Sequence, residues 1–83
     1  MTLTLRYFAW LRERIGEASE EVETDAATVA DLVAELRGRE ERYDYAFADL
    51  AAVRVAVDQK LSDLAAPIGG AREVAFFPPM TGG

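Results

Sequence analysis

Over the first seven positions apolar and polar residues alternate: Leu3, Leu5 and Tyr7 interleave with Thr2, Thr4 and Arg6. A period of two puts one set on the buried face of a strand and the other toward solvent. Phe8 has the parity of the polar set, so it either leaves the core face or folds back inward where the strand stops. Trp10 to Ile15 predicts one or two helical turns closed by Gly16 as a C-cap, with Leu11 packing and Arg12 and Glu13 solvated. Ser19 to Thr24 offers Val22 among glutamates, which predicts a weak edge strand antiparallel to the first.

The period then changes. Thr28 stands as an N-cap with Asp31 in capping-box position, and Val29, Leu32, Val33 and Leu36 follow at i, i+3, i+4 and i+7. This predicts a helix ended by Gly38, its apolar stripe packed on the sheet. Arg39 to Arg42 reads as a charged connector, and Tyr43, Tyr45, Phe47 and Leu50 as a short helix or irregular segment over the core edge. Val53, Val55 and Val57 alternate with Arg54, Ala56 and Asp58, the pattern of a central strand. Asp58-Gln59 marks a turn, Lys60-Leu61 a brief return strand, and Leu64, Pro67 and Ile68 a loop closed by Gly69-Gly70. In the last strand Val74 and Phe76 share one face, Ala75 and Phe77 the other. Four strands with one good helix after the second fit an α+β domain. Both a β-grasp and a ferredoxin-like sheet, with Tyr43 to Leu50 as its second crossover helix, satisfy the pattern.

Eighty-three residues make one domain. With no cysteine and no histidine, the chain has no disulfide, no Cys/His metal site and no Ser-His or Cys-His nucleophilic pair. The net charge of −6 argues against a nucleic-acid surface, and the aromatic cluster reads as core rather than a base-stacking platform. An acidic body suits a partner with a basic rim. The glutamates around Val22 also offer a metal-binding cluster, although solvated charge on an edge strand is the simpler reading. No apolar run approaches the roughly 18 residues that span a membrane, and the first ten residues lack a signal-peptide layout. A soluble, cytoplasmic protein is expected.

The C-terminal stretch carries the chemistry. Glu73 to Gly83 reads EVAFFPPMTGG. Pro78 and Pro79 have no N–H to donate to a sheet ladder, so pairing stops there. Residues 1–78 form the folded domain and 79–83 a flexible tail ending in Gly-Gly. The six residues from Pro78 onward project roughly 20 Å if extended. Gly82 and Gly83 carry no Cβ, so the tip fits a slot that rejects any side chain.

This string closely resembles the C-terminal signature of the small subunits of molybdopterin synthase, a family of ubiquitin-like sulfur carriers. Tyr7-Phe8-Ala9, Leu11-Arg12-Glu13 followed by Gly16, and Val55-Ala56-Val57-Asp58-Gln59 extend the match in the family's order over nearly the whole chain. The resemblance implies a ubiquitin-like β-grasp: a mixed sheet on one main helix, with first and last strands parallel at its centre. It implies that Gly83 is adenylated and converted to a thiocarboxylate. Pro78, Pro79, Met80, Thr81 and Gly82 would deliver that terminus, and Phe8, Leu61 and Phe77 would contact the large subunit. The small subunit is then a co-substrate that binds no cofactor, in a heterotetramer of two small and two large subunits. Catalytic residues on the large subunit build the dithiolene of molybdopterin from a cyclic pyranopterin monophosphate. ATP is used by an adenylyltransferase related to ubiquitin-activating enzymes, and a sulfurtransferase system supplies the sulfur. The absence of a phosphate loop here agrees with activation by a second protein. Lacking cysteine, the chain cannot carry sulfur as a persulfide.

Two positions depart from the family's pattern. Gly69-Gly70-Ala71-Arg72 replaces the usual Asp-Gly-Asp turn, and Asp58 stands where asparagine is usual. Other readings are a carrier for thiamine synthesis, tRNA thiolation or protein conjugation, which share the Gly-Gly end, and an interaction domain whose tail has no chemistry. The Phe76-Phe77-Pro78-Pro79 approach and Tyr7-Phe8-Ala9 favour the molybdopterin branch. An enzyme using Glu20 and Glu21 is disfavoured, because neighbours on a strand face opposite sides.

Overall fold

The structure, a computed structural model, describes residues 1–79. The alternating N-terminus forms β1 (Thr2–Tyr7), which buries Leu3, Leu5 and Tyr7 and leaves Thr2 and Arg6 exposed. A short helix α1 (Trp10–Ile15) follows, and Gly16 closes it in the left-handed region at φ 91°, its amide donating to the Arg12 carbonyl. β2 (Ser19–Glu23) returns antiparallel beside β1. After the main helix α2 (Val29–Arg39) and a six-residue helix α3 (Glu41–Ala46) come β3 (Arg54–Val57), β4 (Lys60–Ser62) and β5 (Glu73–Phe77).

The five strands form one sheet of order β2-β1-β5-β3-β4. β1 and β5 run parallel in register Tyr7↔Phe76, while β3 is antiparallel to both β5 and β4. This is the α+β, ubiquitin-like β-grasp arrangement. The expectation of four strands is corrected to five, because the Asp58-Gln59 turn (φ 49° and 69°) does produce a paired return strand. β3 is interior but not central. The middle of the sheet is β5, whose Val74 and Phe76 are fully buried.

Two further expectations are corrected around α2. The helix does not end at Gly38 but runs on to Arg39, and only Glu40, in extended conformation, separates it from α3. Arg39 is therefore no connector. Its guanidinium bonds the Glu35 carboxylate and the Glu23 carbonyl, both at 3.0 Å, which holds the last turn helical past the glycine. At the other end the Thr28 side chain accepts from the Asp31 amide as expected of an N-cap. The amides of Val29 and Ala30 donate to the carbonyls of Ala66 and Leu64 at 3.0 and 2.8 Å. A helix N-terminus leaves such donors unsatisfied, and here carbonyls of the loop between β4 and β5 meet them. The same docking buries Ile68 completely.

Leu32, Val33 and Leu36 of α2 pack with Leu3, Leu5, Phe47, Val55, Val74 and Phe76 in one core. Each such side chain contributes about 1.5–3 kcal/mol when fully buried. One polar cluster fastens the helices to the sheet edge. The hydroxyls of Tyr7 and Tyr43 both donate to the Glu20 carboxylate, at 2.8 and 2.6 Å, and Arg42 donates to the Tyr43 oxygen at 3.0 Å. Burial first, then the bond to Glu20, pushes both phenols well above the ordinary tyrosine range.

Candidate functional site

The helices cover one face of the sheet and leave the other open. Cross-strand partners share a face, so the open side carries Thr4 and Arg6 of β1, Glu73, Ala75 and Phe77 of β5, Arg54 and Ala56 of β3, and Leu61 of β4. The ambiguity over Phe8 is resolved outward: the residue is 41% exposed, although its amide still bonds the Phe76 carbonyl at 3.1 Å. Phe8 thus stands beside Phe77, one step past the Tyr7↔Phe76 pair. Arg6 lies with its guanidinium 5.4 Å from the centre of the Phe8 ring and 3.7 Å from the Glu73 carboxylate. The cation caps the ring rather than leaving it bare. Arg6 went unnoticed in the sequence, where its parity two residues before Phe8 was the available signal.

The three residues expected to form an apolar patch are placed unequally. Phe8 and Phe77 are neighbours at the C-terminal end of the two central strands, with Phe77 half-buried. Leu61 is 76% exposed but lies on the edge strand, level with Ala56 and Ala75. It is two strands across from Phe77 and two residues back, about 10 and 7 Å respectively. Ala56 and Ala75 leave a shallow floor between them. The open face is therefore a phenylalanine pair and a separate leucine knob, flanked by Arg6 and Arg54.

The tail leaves this face at its aromatic end. Phe77 pairs with Arg54 at the start of β3, and Pro78 and Pro79 are half-buried as the chain departs. Beside them β1 ends in a tight turn, where the Leu11 amide donates to the Phe8 carbonyl at 3.2 Å across Ala9 and Trp10. Ala9 has φ 54° and ψ −132°, the first central position of a type II′ turn, where glycine is the usual residue. Met80, Thr81, Gly82 and Gly83, expected to carry and deliver the reactive carboxyl, lie outside the described residues.

At the opposite end of β5, the departure at Asp58 has a structural use. Its Oδ1 accepts from the amides of Arg72 and Glu73 at 2.9 and 3.0 Å, and the Asp58 amide donates to the Glu73 carbonyl at 2.9 Å. The β3–β4 turn is thereby stitched to the start of β5. Those two amides, Arg72's first, hold the Asp58 carboxyl below its ordinary pKa. Between β3, β4 and the 3-10 turn Leu50–Ala52 lies an apolar cavity of about 450 Å³ bordered by Arg54 and Asp63. Among the described residues no group of three or more His, Cys, Asp or Glu is placed to hold a metal. Nor is any helix among them long and apolar enough to cross a membrane.

A ubiquitin-like domain with an open sheet face, whose central strand runs out at Pro78 and Pro79, is the class that the fold and this geometry define. A profile of the ThiS family matches residues 5–83, and the chain belongs to that family. It is 38% identical over 77 residues to the molybdopterin synthase sulfur carrier subunit of Escherichia coli, covering 93% of this chain and 94% of the relative. The protein of the same name from Haemophilus influenzae is 33% identical over 81 residues, covering 98% of this chain and 99% of the relative. Among solved structures, the Haloferax volcanii small archaeal modifier protein 1 superposes with a TM-score of 0.74 at 25% identity. That match covers 95% of this chain and 98% of the archaeal one.

Proposed function

We propose that this protein is the sulfur carrier subunit of a molybdopterin synthase and that Gly83 bears the sulfur. The observation that carries the reading is the placement of β5: the central strand ends at Pro78 and Pro79 beside the Phe8–Phe77 pair, and the sequence from there runs to Gly-Gly. Two relatives that bear the name of such a subunit align over nearly the full chain and support it.

The chemistry follows from the carboxyl. An α-carboxyl has a pKa near 3.5 and is ionised at neutral pH, which makes it a poor electrophile. An activating adenylyltransferase would join it to the α-phosphate of ATP with release of pyrophosphate. Sulfide sulfur from a sulfurtransferase system would then attack the Gly83 carbonyl carbon, and AMP would leave with the bonding pair. The resulting thiocarboxylate would enter the active site of a large subunit docked on Phe8, Phe77 and Leu61. Pro78, Pro79, Met80, Thr81 and Gly82 would span the distance, and the dithiolene sulfurs would come from Gly83. Catalytic groups are placed on the large subunit, because this chain brings no histidine or cysteine to the tail.

The test is intact-mass measurement after incubation with ATP, sulfide and the activating enzyme, followed by transfer to the pterin precursor. The expected result is one oxygen-to-sulfur exchange at Gly83 and turnover by the large subunit. A chain ending at Gly82 keeps a competent carboxyl but loses about 3.3–3.6 Å of reach. Reacting atoms must approach within about 3–3.5 Å, so turnover should collapse. Equal turnover from both chains, each chemically thiocarboxylated, would refute the geometric part. The likeness to an archaeal modifier protein favours one second reading, protein conjugation through the same glycine. Isopeptide-linked target proteins, without any thiocarboxylate-dependent pterin conversion, would establish it instead.

A further inference from the structure

We infer that Arg54 selects the partner of the open face, and that the large subunit meets it with a carboxylate beside the apolar surface receiving Phe77. The inference rests on the docking proposed above and deepens it. It starts from the charges around the aromatic pair. The chain carries a net charge of −6, yet Arg6 and Arg54 stand on the open face on either side of β5.

The two arginines differ in what they already hold. The Arg6 guanidinium is matched by the Glu73 carboxylate at 3.7 Å and lies against the Phe8 ring. Arg54 is exposed, and among the described residues it forms no ion pair. Its Nη1 donates to the carbonyls of Ala51 and Val53 at 3.0 and 3.3 Å. Asp63 borders the same cavity as Arg54, but its Oδ1 accepts from the Ala65 amide at 2.9 Å instead. A guanidinium has N–H donors on all three nitrogens, so those on Nε and Nη2 are left for an outside acceptor.

Position ties that demand to the apolar contact. Arg54 is the direct cross-strand partner of Phe77, and such neighbours hold their Cβ atoms about 4.5–5.5 Å apart. A surface that closes over the Phe77 ring therefore also takes water from Arg54. A cation covered without an anion is strongly disfavoured, whereas a carboxylate meets a guanidinium through two parallel N–H bonds. The two carbonyls hold the side chain in place beforehand, so little rotamer freedom is lost on docking. The acidic body favours a basic partner at long range, and Arg54 reverses that preference at the contact itself. A partner that presents a lysine or an apolar side chain there is rejected.

Calorimetric titration of the full-length carrier with the large subunit of the same organism tests this, using Arg54→Lys, Arg54→Gln and Arg54→Glu at low and high salt. At about 50 mM salt, Arg54→Gln should bind at least about tenfold more weakly than wild type, and Arg54→Glu more weakly still. Arg54→Lys, which keeps the charge, should recover part of the loss. At about 500 mM salt the gap between Arg54→Gln and Arg54→Glu should narrow, which loss of the two carbonyl bonds alone would not produce. Full affinity in Arg54→Gln, tighter binding in Arg54→Glu, or a gap between these two unchanged by salt would each overturn the inference and leave the carrier reading intact. So would a concentration-dependent dimer of the carrier alone that Arg54→Gln dissolves, because the acid facing Arg54 would then belong to a second copy. No binding by wild type would overturn the carrier reading, and this inference with it.

Discussion

Phe76 and Phe77 are adjacent in sequence and identical in chemistry, so truncating each to alanine isolates the effect of the face on which it lies. Phe76 is 0% exposed. Its ring stacks on Tyr7 at 5.9 Å and 14°, and meets Phe47 edge-on at 5.0 Å and 66°. Removing a buried phenylalanine costs about 3–5 kcal/mol, and two aromatic neighbours place this site toward the upper end. A domain of this size has a total stability of about 4–12 kcal/mol, so Phe76→Ala removes a large share of it. Phe77 is half-buried on the open face, where the same truncation forfeits about 1 kcal/mol. In urea, with m about 1–1.5 kcal/mol/M, the midpoint should fall by roughly 2–5 M for Phe76→Ala and by no more than about 1 M for Phe77→Ala. Affinity for the large subunit should rank the other way, with the folded Phe77→Ala chain binding at least tenfold more weakly than wild type. A Phe77→Ala midpoint that falls as far as that of Phe76→Ala would refute the face assignment.

Ala9→Gly should stabilise the protein. The strain of an alanine at φ 54° is about 1–3 kcal/mol, only partly offset by the entropy of an added glycine, so the melting temperature should rise by several degrees. Asp58 is held below its ordinary pKa in the folded state, so its contribution is present above about pH 4 and lost as pH falls through the lowered value. Asp58→Asn keeps the acceptor oxygen, so urea midpoints measured from pH 6 down to pH 2 should decline less steeply in the variant. Tyr7 and Tyr43 are raised, so their contribution holds up to about pH 10 and is lost as pH climbs beyond it. Replacing both with phenylalanine should flatten the alkaline limb of the stability–pH curve.

What the sequence made legible is what depends on neighbours in the chain. The alternation in β1, the Gly16 cap, the Thr28 cap with its apolar stripe, and the opposite faces of Phe76 and Phe77 are all local patterns, and all are realised. What escaped depends on distant partners. Gly38 read as a helix stop because the anchors of Arg39, Glu35 and the Glu23 carbonyl, include one 16 residues away. β3 read as central because its valines alternate cleanly, yet the centre goes to β5 through pairing with β1 about 70 residues earlier. Glu20 read as one of several solvated acids and is instead the shared acceptor of two phenols. At the site, parity left Phe8 open between an outward and an inward placement, and the separation of Leu61 from the phenylalanine pair required the sheet order.

The position of β5 fixes the root from which the C-terminal residues depart. Chain ends ordinarily fray, because a terminal strand at a sheet edge loses only one ladder when it opens. Here the terminal strand is the central one, paired through Tyr7↔Phe76 on one side and Arg54↔Phe77 on the other. Releasing Phe77 means breaking both ladders and exposing Phe76, so the root opens only at a free energy close to that of global unfolding. Two prolines with fixed φ then carry that fixed direction outward. Among the described residues the ladders of β5 end at Phe77, so changes beyond Pro79 should leave the body untouched. Deletion of Gly83 should shift the urea midpoint by no more than about 0.5 kcal/mol of stability, the range of neutral surface substitutions, while its effect on sulfur transfer is large. A loss of several kcal/mol on removing Gly83 would show that the tail is part of the fold and would remove the separation between scaffold and delivery arm.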